Sequence, residues 1–134
     1  MEGRREQPGL PGVSIRELLK ATLQLRPDRI IVGEIRDREA FDFLQALNTG
    51  HSGHMSTIHA NSAPEALSRL GTCVLMSGID LPYKVIRQQI AESLDLVIQL
   101  RREPGKRVVS QVLTIKGYVR AEDYFEFETL YERK

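Results

Sequence analysis

The chain has 134 residues, 41% of them hydrophobic and 28% charged, the balance of one soluble domain, which excludes both a disordered chain and two ordinary domains. Nineteen Lys and Arg stand against 18 Asp and Glu, a formal charge of +1, which weighs against a dedicated nucleic-acid binder, although Arg101-Arg102 and Lys106-Arg107 form a local basic patch. The single Cys73 excludes an internal disulfide, no apolar run approaches the ~18 residues that cross a bilayer, and Met1 to Glu6 lacks the apolar stretch of a secretory signal. A cytoplasmic domain is expected, with nucleic acid not expected as a direct ligand.

Residues 1–13 carry three Gly and two Pro without apolar periodicity and read as a flexible arm, leaving residues 14–134 as the folded part. Ser14-Ile15-Arg16-Glu17 has the pattern of a capping box and opens a helix with Ile15, Leu18, Leu19 and Leu23 on one face. Pro27 ends it. Arg29 to Gly33 is a short β-branched run, read as a strand buried on both faces. Asp37 is expected to cap a helix carrying Ala40, Phe41, Leu44 and Leu47 inward, with Gly50 past its end. His54 to Ile58 reads as a second strand. Ser62-Ala63-Pro64-Glu65 repeats the capping pattern and opens a helix through Leu67, Leu70 and Val74. Another helix is expected near Pro82, carrying Val85, Ile86 and Ile90.

From Leu94 the period changes to two. Leu94, Leu96, Ile98 and Leu100 share a face, Pro104-Gly105 turns the chain, and Val109, Gln111, Leu113 and Ile115 alternate again. Phe125, Phe127, Thr129 and Tyr131 then oppose Glu126 and Glu128 on a half-exposed strand. The fold class is α/β, with an antiparallel meander at the C-terminal end.

Two clusters carry chemistry. Glu34 directly follows a buried strand, and open α/β sheets bind ligands at the carboxyl ends of their strands. A carboxylate there orients and deprotonates a water attacking a phosphate, or holds the water around Mg²⁺. The alternative is that Glu34 caps the next helix or pairs with Arg36. The second cluster, Asn48 to Asn61, holds His51, His54 and His59. No cysteine lies nearby, and the odd spacing of His54 and His59 turns them to opposite faces of a strand, so no metal site is expected. His59 either donates a hydrogen bond to a phosphate oxygen or bonds a neighbouring carbonyl.

Taken together, RPDRIIVGEIRD followed by TGHSGHMSTIHAN resembles the Walker B and histidine boxes of the type II/type IV secretion traffic ATPases. The likeness is closest to the conjugal-transfer and Tad/Flp-pilus assembly type. SIRELLKATLQLRPDRI, ALSRL and IRQQIAESLDLVIQLRR extend it from about Val13 to Ile115. The resemblance implies that Glu34 is the catalytic carboxylate, that His59 with Thr57 belongs to the box sensing the γ-phosphate, and that Arg36 braces the site. It also implies a RecA-like P-loop NTPase core that uses ATP and Mg²⁺. Such enzymes form a homo-oligomer, usually a hexamer. They work in the cytoplasm, peripheral to the inner membrane, with the inner-membrane components of a secretion or pilus machine.

A P-loop needs GxxxxGK[ST]. The only Gly-Lys is Gly105-Lys106, followed by Arg107 and with Leu100 where the first glycine should stand. The chain is therefore expected to be the C-terminal portion of such an ATPase, inactive alone and binding no cofactor by itself. The residues leave two other readings open. One is another RecA-like motor such as a helicase, which the neutral charge and histidine box disfavour. The other is an interaction or oligomerisation module completed by a P-loop-bearing partner.

Overall fold

A computed structural model describes residues 8–48 and 53–134. Gly50 and His51 lie outside the described residues, as does much of the N-terminal arm. The elements run α1 (Ile15–Gln24), β1 (Ile31–Val32), α2 (Glu39–Leu47), β2 (Met55–Ser56), α3 (Ala63–Met76), α4 (Tyr83–Ser93), β3 (Leu96–Glu103), β4 (Lys106–Val119) and β5 (Tyr124–Glu132). They form two compact units. The first comprises residues up to Ile58 with Cys73–Ile79, and the second His59–Thr72 with Asp80–Lys134.

In the first unit α1 begins as its sequence requires. The Ser14 hydroxyl accepts from the Glu17 amide, and Glu17 accepts in return from the Ser14 amide at 2.8 Å. The helix stops at Leu25, and Arg26, held before Pro27, takes a left-handed φ of 49°. β1 and β2 pair in parallel, Ile31 with Met55 and Val32 with Ser56. Ile30, Val32 and Ile35 are buried, together with Leu19, Phe43, Leu44 and Val74.

Three expectations for this unit are corrected. β1 is not buried on both faces: Ile31 is 55% exposed and its partner Met55 53%. Asp37 does not cap α2, whose N-cap is Arg38 with no side-chain bond. Glu39 instead reaches back into the turn before the helix, accepting from the Arg36 amide at 2.7 Å and the Asp37 amide at 3.2 Å. The buried face of α2 is Ala40, Phe43, Leu44 and Ala46, which leaves Phe41 and Leu47 half-buried.

The second unit holds the antiparallel sheet β3-β4-β5, with α4 packed on β4. Ser62 accepts from the Glu65 amide at 3.3 Å, while the Glu65 carboxylate is taken by Asn61 at 3.1 Å, so the expected capping box is half formed. Ile86, Ile90, Leu113, Tyr118 and Phe125 form the buried side of the sheet. At the β4–β5 hairpin end the Arg87 guanidinium lies 4.4 Å from the Phe125 ring centroid and 5.3 Å from that of Tyr118, and it pairs with Asp123 at 3.2 Å. A cation over aromatic rings in so covered a place is worth up to about 2 kcal/mol, which latches α4 onto the β4–β5 hairpin.

The alternation expected along β4 and β5 is broken by bulges. Gln99 faces Gln111 but Leu100 faces Val109, so Ser110 is the extra residue and Val109 leaves the face of Leu113. Leu130 does the same on β5, sending Tyr131 to the face opposite Thr129.

The Tyr118 hydroxyl donates to Asp123 at 2.5 Å, and burial first, then that bond, holds its pKa above the ordinary value of about 10. A raised folded-state pKa means full stabilisation below the unfolded value, lost as pH rises through the folded one. Wild-type melting temperature should therefore fall above about pH 10. Tyr118→Phe should show a shallower alkaline decline in thermal scans, and equal slopes would contradict this account.

Candidate functional site

Glu34 stands two residues past Val32, at the carboxyl end of β1. The turn that carries it is fixed from both sides by the neighbouring strand. The Thr57 hydroxyl donates to the Gly33 carbonyl at 2.7 Å, and the Ile35 amide donates to the Thr57 carbonyl at 2.8 Å. At the other end the Met55 amide reaches the Ile30 carbonyl at 3.0 Å, and the Ile30 amide donates to His54 Nδ1 at 2.8 Å. Glu34 is thus held by backbone bonds before and after it.

Its carboxylate is half-buried, and Oε2 accepts from Arg36 Nε at 2.6 Å. That bond holds the Arg36 guanidinium pKa above its ordinary range. The Cys73 thiol is buried and lies 3.5 Å from the Arg36 carbonyl. Of the two structural alternatives for Glu34, pairing with Arg36 is present, whereas α2 has no side-chain cap.

Thr57, Glu34 and Arg36 all lie in the first unit, and His59 in the second. There His59 lines an open cleft of about 590 Å³ with Ala60, Asn61, Glu65, Arg69 and Thr72. Gln99 Nε2 donates to the Ala60 carbonyl at 3.2 Å and so ties the residue after His59 to β3. Sequence reasoning gave Glu65 only a capping role and Arg69 none, although their spacing of four puts both on one face of α3. It also gave His54 no task, whereas its ring receives the first amide of the β1 segment. Nothing in composition marks Gln99.

The chain belongs to the type II/IV secretion system protein family, whose model matches residues 9–122. It is 42% identical over 106 residues to the conjugal transfer protein TrbB of Rhizobium radiobacter, covering 79% of this chain and 32% of that one. It is 43% identical over 106 residues to the type IV secretion system protein PtlH of Bordetella pertussis, covering 77% of this chain and 31% of the relative. The crystal structure of the VirB11 ATPase from the Brucella suis type IV secretion system, in complex with sulphate, matches with a TM-score of 0.72 at 32% identity. That match covers 76% of this chain and 32% of the other. The chain therefore spans about a third of the length of these relatives. The mixed α/β fold with its C-terminal antiparallel sheet is similar to the matched third of that ATPase.

Thr57→Val removes the hydroxyl that bonds Gly33. Loss of one such bond costs about 1 kcal/mol, or about fivefold in a local opening equilibrium. Hydrogen exchange at the Ile35 amide should quicken by that factor and stay near wild type in Thr57→Ser. Unchanged exchange in Thr57→Val would show that the hydroxyl does not hold the turn.

Proposed function

We propose that residues 14–134 are the C-terminal part of a RecA-like ATPase domain of a secretion, conjugation or pilus-assembly motor, with residues 1–13 an arm. One observation carries the reading. Gly33-Glu34 ends a strand that pairs in parallel with the strand of the histidine box, and the Thr57 hydroxyl bonds the Gly33 carbonyl. In the intact enzyme Glu34 draws a proton from the water that attacks the γ-phosphate. Arg36 braces Glu34, and its 2.6 Å bond to Oε2 supports that role. His59, with Thr57 before it, senses the phosphate, and Arg69 in the same cleft as His59 supports an anion as its ligand.

Mg²⁺ is held by one or two carboxylates plus substrate phosphates. Glu34 offers one carboxylate at the strand end, so the residues present fit a shared and not a self-sufficient Mg²⁺ site. When bound, the ion neutralises phosphate charge. The intact enzyme works as a hexamer in the cytoplasm, peripheral to the inner membrane, against that membrane's components of the secretion machine. The lack of a GxxxxGK[ST] motif in these 134 residues supports an inactive isolated chain.

Calorimetry of the isolated chain with Mg-ATP should give no measurable heat of binding. His59 contributes one hydrogen bond of about 1 kcal/mol, against the ~8 kcal/mol of a micromolar complex. Grafting Val13 to Ile115 in place of the matching stretch of the Brucella suis ATPase should preserve ATP hydrolysis within about tenfold, or 1.4 kcal/mol of barrier. A graft that assembles like its parent but does not turn over, or a micromolar affinity of the isolated chain, would contradict the proposal.

A further inference from the structure

The sheet β3-β4-β5 has one side covered by α4 and one side open. Cross-strand partners share a face, so the register identifies the residues of the open side. They are Leu96 with Thr114, Ile98 with Val112, Leu100 with Val109, and Arg102 with Arg107. β5 adds Tyr131 beside Val112, Glu128 beside Thr114 and Glu126 beside Gly117. Leu96, Ile98 and Leu100 are 51%, 57% and 60% exposed. The middle of the face is therefore apolar and bare.

Its two ends are oppositely charged. Arg102 and Arg107 sit directly across from each other, an arrangement that destabilises a strand pair. Among the described residues neither has an ion-pair partner, whereas the neighbouring Arg101, Lys106 and Arg133 all converge on Glu103. At the far end Glu126 and Glu128 point from the same face, with Lys116 bonded to Glu128 at 2.8 Å. Ten residues of strand separate the two ends, roughly 30 Å.

We propose that this face is a contact surface for a second copy of the chain, packed face to face with its strands running the opposite way. A two-fold axis in the plane of the contact sets the arginine pair of each copy against the glutamate pair of the other, while the apolar middles cover each other. Such stacking keeps strands within about 30° of antiparallel alignment. The second copy is singled out because both halves of the complementarity lie on one face, as an isologous contact requires. An anionic membrane would satisfy the arginine end and repel the glutamate end. Three strands spanning the two charged ends offer a footprint of roughly 14 by 30 Å. That is well under the ~800 Å² per partner of a standard interface, so the dimer is weak. The contact is independent of the ATPase reading.

Sedimentation equilibrium of the full 134-residue chain, from about 1 µM to 1 mM at low salt, should show a monomer–dimer equilibrium that weakens as salt rises. Ile98→Lys should weaken it at least tenfold, with the far-ultraviolet circular dichroism unchanged. Arg102→Glu with Arg107→Glu should do the same by setting four like charges together. Adding Glu126→Arg and Glu128→Arg to that chain should restore association to within about threefold. A strict monomer at every concentration overturns the proposal, as does an Ile98→Lys chain that associates like wild type. A fourfold variant as weak as the double one overturns it too. So does a chain monomeric in solution but captured by phosphatidylglycerol vesicles through Arg102 and Arg107.

Discussion

The hydroxyl of Thr57 and the carbonyl of Gly33, 2.7 Å apart, close the end of a parallel strand pair only two residues long. So short a ladder has little stability of its own, since isolated two-stranded pairings are marginal in water. It survives because Ile30, Val32 and Ile35 are buried beneath it and because its ends are tied off by side chains and loop backbone. His54 receives the first amide and Thr57 grips the last carbonyl. Parallel pairing also needs a crossover, and α2 with its flanking loops supplies it. The turn at Gly33 and Glu34 inherits its geometry from this arrangement: loosen the pairing and the carboxylate has no fixed address.

The same logic explains why the charged groups around Glu34 are local. Arg36, two residues on, turns back to Glu34, and Glu39 occupies the amides of Arg36 and Asp37. The Arg36 contact holds Oε2 of the Glu34 carboxylate. It also places a cation where phosphate charge arrives in the proposed reaction. Arg36 itself remains mostly exposed, so the pair is free to rearrange.

What was legible in the sequence was local or periodic. The Ser14–Glu17 box acts over three residues and formed as read. The change to alternation after Leu94 marked the antiparallel sheet, and the position of Glu34 after a β-branched run marked a strand end. What failed was decided at longer range. No composition tells that Ser110 and Leu130 are extra residues, because neither is a glycine and each sits inside an unbroken strand pattern. Alternation showed that Leu96, Ile98 and Leu100 share a face, but not that α4 covers the other one. The Asp37 cap did not form because α2 starts one residue later, after Arg38, and the Asp37 amide itself is taken by Glu39. At the candidate site the acid and its arginine were readable, while the backbone anchors from His54 and Gln99 depend on partners 24 and 39 residues away.

The central claim is that the carboxylate held at the end of β1 performs the proton transfer in ATP hydrolysis. Glu34→Gln in the intact enzyme keeps the size of the side chain and removes its charge, and it leaves the Thr57 bond to the Gly33 backbone untouched. Single-turnover hydrolysis, measured together with ATP affinity, tests the claim directly. The account predicts a fall of about 10²-fold or more in the chemical step, with ATP bound as tightly as before. Hydrolysis at the unaltered rate by a Glu34→Gln enzyme that assembles normally would contradict it, and would leave Glu34 as a structural partner of Arg36.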